Sequence, residues 1–169
     1  FWLRIAEFND NHKGRRDPMK ALEWIEGKLR YASALRLYCG GLAVRAYGGT
    51  RPLNDIDLFV PDAHFWPLVD ALHDFVRKPA TRQQEAGWDL TYVQFVYEGV
   101  KIEIGSDDRP RIQDRASGEW VALDIDYATV ELRTYEGCTI PLMAHKQLIA
   151  YKRTLGREVD LIDVGEIDR

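Results

Sequence analysis

Tyr38-Cys39-Gly40-Gly41-Leu42-Ala43-Val44-Arg45-Ala46-Tyr47-Gly48-Gly49-Thr50-Arg51-Pro52-Leu53-Asn54-Asp55-Ile56-Asp57-Leu58 is the stretch on which the fold turns. An apolar strand runs into Gly-Gly, a short helix follows, and an Arg-bearing turn leads to a second strand opening Asp-x-Asp. Strand side chains alternate, so Asp55 and Asp57 share one face while Ile56 and Leu58 take the other. Two carboxylates on one face, near a glycine turn at a helix start, form a seat for Mg²⁺ and a nucleoside triphosphate.

Outward from that stretch, the chain has the makings of one domain over 1–169, with N-terminal helices in 1–34 and a C-terminal helical pair in 144–168. Its 169 residues can bury a core without disulfide or metal staples. Hydrophobic residues at 46% and charged residues at 30% are the balance of an ordinary soluble globular protein. A net charge of -4 argues against broad electrostatic binding to nucleic acid. Cys39 and Cys138 make no disulfide framework and have no metal-ligand spacing. With no apolar run of membrane length and no signal-peptide pattern, the expectation is a cytoplasmic protein with no membrane partner.

Residues Phe1 to Arg16 read as a short helix and a loop. Asp17-Pro18 opens a second helix, with Asp as cap and Pro at its first position, reaching about Ala32. Strands are expected at Leu35 to Cys39 and Asp55 to Val60, with a short helix from Gly41 to Tyr47 between them. Asp62 is expected to cap a helix that buries Phe65, Leu68, Val69, Leu72 and Phe75. Lys78 to Gly87 is polar and reads as a loop. Trp88 to Val96 and Val100 to Gly105 read as a hairpin across Glu98-Gly99. Ser106 to Glu119 reads as loop with one helical turn. Ala128 to Thr134 and Cys138 to Leu142 form a second β pair, and helices Ala144 to Leu155 and Arg157 to about Ile167 close the chain. The sum is an α/β (α+β) fold, a mixed sheet flanked by helices.

Phosphoryl-type transfer asks a protein for charge neutralisation and alignment rather than covalent help. Mg²⁺ binds through a few carboxylates plus substrate phosphates, and Asp55 and Asp57 supply two. In Val100-Lys101-Ile102-Glu103-Ile104 the apolar residues share a face, which sends Glu103 to the other. There Glu103 can complete the metal site and take a proton from an attacking hydroxyl. Gly40-Gly41 at a helix start lets backbone N–H groups approach phosphates. Arg51 offers a bidentate fork to phosphate.

Gly40-Gly41 with Asp55-Ile56-Asp57 resembles the signature of the DNA polymerase β-like nucleotidyltransferase superfamily. The order Gly-Gly-x-Ala, Gly-x-x-Arg, Asp-Ile-Asp is similar to small lincosamide and aminoglycoside nucleotidyltransferases and to abortive-infection-type nucleotidyltransferase toxins. The run Leu148 to Asp163 resembles the closing helices of those proteins, where a lysine, an arginine and Asp-x-x-Asp recur in that order. The resemblance implies Mg²⁺, a nucleoside triphosphate, and transfer of a nucleoside monophosphate to an acceptor hydroxyl with release of pyrophosphate. It also implies that Lys152 meets the triphosphate. Its toxin branch implies tRNA or protein as acceptor and an antitoxin as partner; its antibiotic branch implies a small molecule.

Blander readings stand beside these. Glu103 equally suits an exposed strand carboxylate paired with Lys101, and Lys152 a solvated helix lysine. Arg157 with Asp160 reads first as an ion pair at a helix start. Asp124-Ile125-Asp126 repeats the acid motif without the upstream Gly-Gly, and Asp107-Asp108 reads as loop. His12, His64, His73 and His145 are scattered without metal spacing. Trp66, Trp88 and Trp120 read as packing residues. An RNA-binding surface would have to come from Arg109, Arg111 and Arg115 with Arg77, Lys78 and Arg82. A non-catalytic nucleotide-binding or interaction module is the remaining alternative.

Overall fold

The computed structural model describes residues 15–169, so the helix expected within Phe1 to Arg16 lies almost wholly outside the described residues. Helix α1 (Pro18–Tyr31) starts as its cap demands, the Asp17 carboxylate accepting from the Lys20 N–H at 3.1 Å. Strand β1 (Leu37–Cys39) passes directly into the seven-residue α2 (Gly40–Ala46), and β2 (Asp55–Val60) follows. Next come α3 (Asp62–Ala71), β3 (Val76–Glu85), β4 (Trp88–Tyr97) and β5 (Val100–Ser106). The short strands β6 (Arg111–Gln113) and β7 (Trp120–Ala122) precede the hairpin β8 (Glu131–Tyr135) and β9 (Cys138–Leu142). Helices α4 (His145–Leu155) and α5 (Glu158–Ile167) end the described chain.

The described residues contribute one nine-stranded mixed sheet in the order β7-β6-β4-β5-β2-β1-β9-β8, with β3 paired to β4. Strand β2 runs parallel to β5 and β1 parallel to β9; the other pairs are antiparallel. Ile56, Leu58, Val93, Phe95, Ile102 and Ile104 are buried on one sheet face. Helix α1 covers that side, since its Trp24 stacks on Tyr97 at 4.5 Å and 4°. The opposite face carries the acids. Among the described residues, no helix is long and apolar enough to cross a membrane.

Four expectations are corrected. Lys78 to Gly87 is strand, not loop: its polar residues pair through the backbone with β4 from Lys78↔Gln94 to Glu85↔Trp88. An outer strand is polar on both faces and shows no hydrophobic alternation, and its Pro79 is tolerated because register shifts interrupt the pairing on both sides of Lys78. The connecting Ala86-Gly87 has φ of 51° and 85°, a two-residue turn that suits a tight hairpin. Ser106 to Glu119 carries β6, anchored by buried Ile112 and by Arg111 on Asp89, rather than a helical turn. The strand expected from Ala128 begins only at Glu131, because Asp126 accepts from the Ala128 N–H and turns the chain. Pro61, not Asp62, occupies the cap of α3; Asp62 accepts from the Ser106 hydroxyl, and Phe75 stays 37% exposed.

Beneath α1 the buried Glu26 carboxylate is held by the Arg36 guanidinium, by the Tyr38 hydroxyl at 2.7 Å and by Arg30 at 3.1 Å. Burial alone would raise its pKa, but the hydrogen bonds from Arg36 and Tyr38 outweigh it and hold Glu26 below its ordinary value. A depressed carboxylate pKa contributes stability that is present above the unfolded value, about 4.3, and is lost as pH falls through the folded one. Glu26→Gln, which strands Arg36, is expected to cost about 3 kcal/mol at pH 7. The gap to the parent chain should close below pH ~4 as the parent's own carboxylate titrates. Urea melts at pH 7 and pH 3 measure this, and an unchanged gap at the two pH values would refute it.

Candidate active site

Strand register builds the site. Antiparallel pairing sets Cys39 opposite Asp57, and parallel pairing sets Asp57 opposite Glu103 and Asp55 opposite Lys101. Paired residues face the same way, so Asp55, Asp57 and Glu103 lie on one face of two adjacent strands. Gly40, one residue beyond Cys39, turns at φ +60° into α2 directly against Asp57. A Cβ at Gly40 would stand 2.3 Å from Asp57 Oδ2. No side chain fits there without displacing the carboxylate. Gly40→Ala is expected to lose about 1–2 kcal/mol of stability and to shift Asp57, read as a lower melting temperature together with weaker Mg²⁺–nucleotide binding. Unchanged values for both would remove the argument for this contact.

Asp57 is 2% exposed, and its Oδ1 has no hydrogen-bond partner among the described residues. Burial, then the neighbouring Glu103 and Asp55 carboxylates, push its pKa well above the ordinary value. A buried carboxylate oxygen without a partner, beside further carboxylates, is a donor set suited to a hard divalent cation. Among the described residues, no three His, Cys, Asp or Glu side chains converge closely enough to enclose a metal ion by themselves. An ion here would take part of its shell from substrate oxygens or water, the usual habit of Mg²⁺. Glu103, 1% exposed, accepts from Gln94 Nε2 at 2.8 Å, and Lys101 Nζ stands 3.7 Å from Asp55.

The two cations expected at phosphate are tied into a second assembly. Arg51 forks onto Asp163, Nε to Oδ1 at 3.0 Å and Nη2 to Oδ2 at 2.9 Å. Lys152, in the last turn of α4 and only 3% exposed, donates to Asp163 at 2.8 Å and Asp160 at 3.2 Å. Arg157 donates to both oxygens of Asp160, at 2.6 and 3.1 Å. Three cations thus share two fully buried carboxylates. Burial would raise the Asp163 pKa, but the bonds from Arg51 and Lys152 bring it below the ordinary value. The assembly adjoins the acids: the Arg51 Nη2 atom lies 3.5 Å from where a Gly41 Cβ would stand. Lys152 is therefore not a solvated helix lysine. The Arg157–Asp160 pair is present as expected, but within a larger network.

Sequence reasoning missed Gln94 and Tyr92 on the acid face of the sheet, and named Lys78 only as a candidate RNA contact. The signal for Gln94 was a polar residue within the apolar run Tyr92 to Tyr97. Lys78 reaches that face because its segment is strand rather than loop. Of the candidate RNA-binding residues, Arg82 and Arg111 both spend their charge on Asp89, at 2.6 Å and 2.5 Å. Trp88 is buried and Trp120 lies under the Arg111 guanidinium, whereas Trp66 is 49% exposed. His145 closes α4 against α5 through Ile167 O at 2.8 Å.

No protein-family profile matches the chain, and no curated protein matches it in sequence. Solved structures do. A Thermotoga maritima protein assigned as a nucleotidyltransferase superposes with a TM-score of 0.69 at 18% identity, covering 94% of this chain and 99% of its own. The lincosamide antibiotic adenylyltransferase LnuA, with lincomycin bound, gives 0.62 at 15% identity over 91% and 98%. ANT(2")-Ia in complex with adenylyl-2"-tobramycin gives 0.58 at 12% identity over 88% and 86%. The chain has the polymerase β-like nucleotidyltransferase fold of these proteins.

Proposed function

We propose that the chain is a Mg²⁺-dependent nucleotidyltransferase that moves a nucleoside monophosphate from a nucleoside triphosphate to a hydroxyl of a small molecule. The observation that carries this reading is the register of Asp57 against both Gly40 and Glu103, which sets paired acids beside a glycine helix start. Asp55 and Asp57 would hold Mg²⁺, with Glu103 completing the donors. When bound, the ion supplies charge neutralisation of the triphosphate and polarises the α-phosphate. Gly40 and Gly41 bring the N–H groups of α2 to the phosphates. Arg51 has N–H donors left after its fork with Asp163, and with Lys152 it orients the triphosphate. The acceptor oxygen forms its bond to the α-phosphorus as the bond to the β-phosphate oxygen breaks. Pyrophosphate leaves, and Glu103 takes the hydroxyl proton. Most of the acceleration comes from alignment and fixed charge.

LnuA binds lincomycin and ANT(2")-Ia holds adenylyl-2"-tobramycin, which supports a small hydroxylated acceptor such as an antibiotic. The pairing of Arg82 and Arg111 with Asp89 weighs against tRNA. The test is incubation with Mg²⁺ and each labelled nucleoside triphosphate against lincosamides, aminoglycosides and bulk tRNA. Label on one small acceptor, absent without Mg²⁺ and absent from the Asp55→Ala/Asp57→Ala variant, is the expected result. Failure of every nucleotide to bind would sink the reading.

A further inference from the structure

The row of partners through the acids continues past them. Asp57 on β2 pairs with Glu103 on β5, Glu103 with Gln94 on β4, and Gln94 with Lys78 on β3. Pairing places all four side chains on one sheet face, and the bonds agree: Gln94 reaches Glu103 at 2.8 Å, and Lys78 reaches Tyr92, which is on the Gln94 face, at 2.6 Å. Three interstrand steps put the Lys78 backbone about 14 Å from that of Asp57. The row is anionic at one end and cationic at the other.

Lys78 differs from the cations around it. Lys101, Lys152, Arg51, Arg157, Arg82 and Arg111 each meet a carboxylate. Lys78, half-buried, has no carboxylate partner among the described residues. Its Nζ donates to Tyr92 OH and to Gln83 Oε1 at 3.1 Å, both uncharged, and lies 5.0 Å from the Tyr92 ring centre. Burial raises the Tyr92 pKa, so its hydroxyl stays neutral beside the ammonium. Two of three ammonium N–H groups are used, which leaves one aimed by a fixed scaffold. A half-buried cation without a counter-charge is a desolvation cost that an arriving anion removes.

We infer that the Gln94–Tyr92–Lys78 face is the acceptor subsite, and that it takes a small hydroxylated molecule bearing an anionic group, phosphate or carboxylate, seated on Lys78. The inference rests on the nucleotidyltransferase reading for the word acceptor, but the binding itself does not. An anion at Lys78 and a hydroxyl at Glu103 span the row, Gln94 holding the carboxylate that receives the proton.

NMR titration of the full chain with glucose 6-phosphate, glucuronate and glucose tests the inference. At least one anionic sugar is expected to bind about tenfold more tightly than glucose, phosphate against carboxylate distinguishing the source. Lys78→Gln should erase that preference and Lys78→Arg should keep it. The Asp55→Ala/Asp57→Ala variant should keep the preference while losing any label transfer. Equal binding of the three sugars, no binding, or a preference that survives Lys78→Gln would overturn it. So would label appearing on bulk tRNA alone. Discrimination without transfer from any nucleoside triphosphate would strike the nucleotidyltransferase reading and leave the anion subsite standing.

Discussion

Asp57→Asn is expected to melt above the parent chain in metal-free buffer while losing nucleotide transfer by roughly 10²–10³-fold or more. The parent carries a buried carboxylate whose Oδ1 has no partner among the described residues, beside Glu103 and Asp55. Neutralising it removes both a desolvation cost and a like-charge contact, a gain of about 1 kcal/mol or some 3 °C for a chain of this size. Mg²⁺ with a nucleoside triphosphate should reverse the order. Ligand at a hundredfold excess over its dissociation constant stabilises the parent by about 2.7 kcal/mol, and the variant by little. Asp55 differs, being 3.7 Å from Lys101 and partly accessible, so Asp55→Ala moves stability little. Calorimetry of both variants with and without Mg²⁺–nucleotide checks this. A metal-free Asp57→Asn less stable than the parent would mean the carboxylate already has a favourable partner, and the metal reading would lose its physical basis.

Asp163→Ala is expected to be the most destabilising single change near the site, at about 3–5 kcal/mol or roughly 10 °C. It leaves Lys152, whose side chain is 4% exposed, with Asp160 alone, a carboxylate it shares with Arg157, and releases the Arg51 fork. Asp163→Asn should fall between, keeping hydrogen bonds while losing charge. Adding Lys152→Met to Asp163→Ala should recover part of the loss, because it removes a buried ammonium left under-compensated with Asp160 alone, and the cycle should show coupling of about 1–3 kcal/mol. Because Asp163 has a lowered pKa, its contribution is present above pH ~4 and lost as pH falls through the folded value. A cost under ~1 kcal/mol would class the network with exposed ion pairs of little weight.

Much of the site was legible from local pattern. Period-two alternation put Asp55 and Asp57 on one face and Glu103 on the polar side of its own strand. The Gly-Gly before a short helix marked the turn that Gly40 makes at φ +60°. The same reasoning failed at β3, because an outer strand polar on both faces has no alternation to read and its stability comes from backbone pairing with β4. It failed again at the start of β8, where a side chain of Asp126 competes for the backbone.

The amino-acid order by itself determined that β2 and β5 carry acids, that α1 starts at its Asp17 cap, and the α/β class, since each follows from contacts within a few residues. Only the tertiary structure decided that Asp57 faces Glu103 across a parallel pair 46 residues apart in sequence, and that Asp163 gathers Arg51 and Lys152 from distant elements. Register between strands and the choice of counter-ion depend on how the whole sheet buries its apolar face, which no local periodicity encodes.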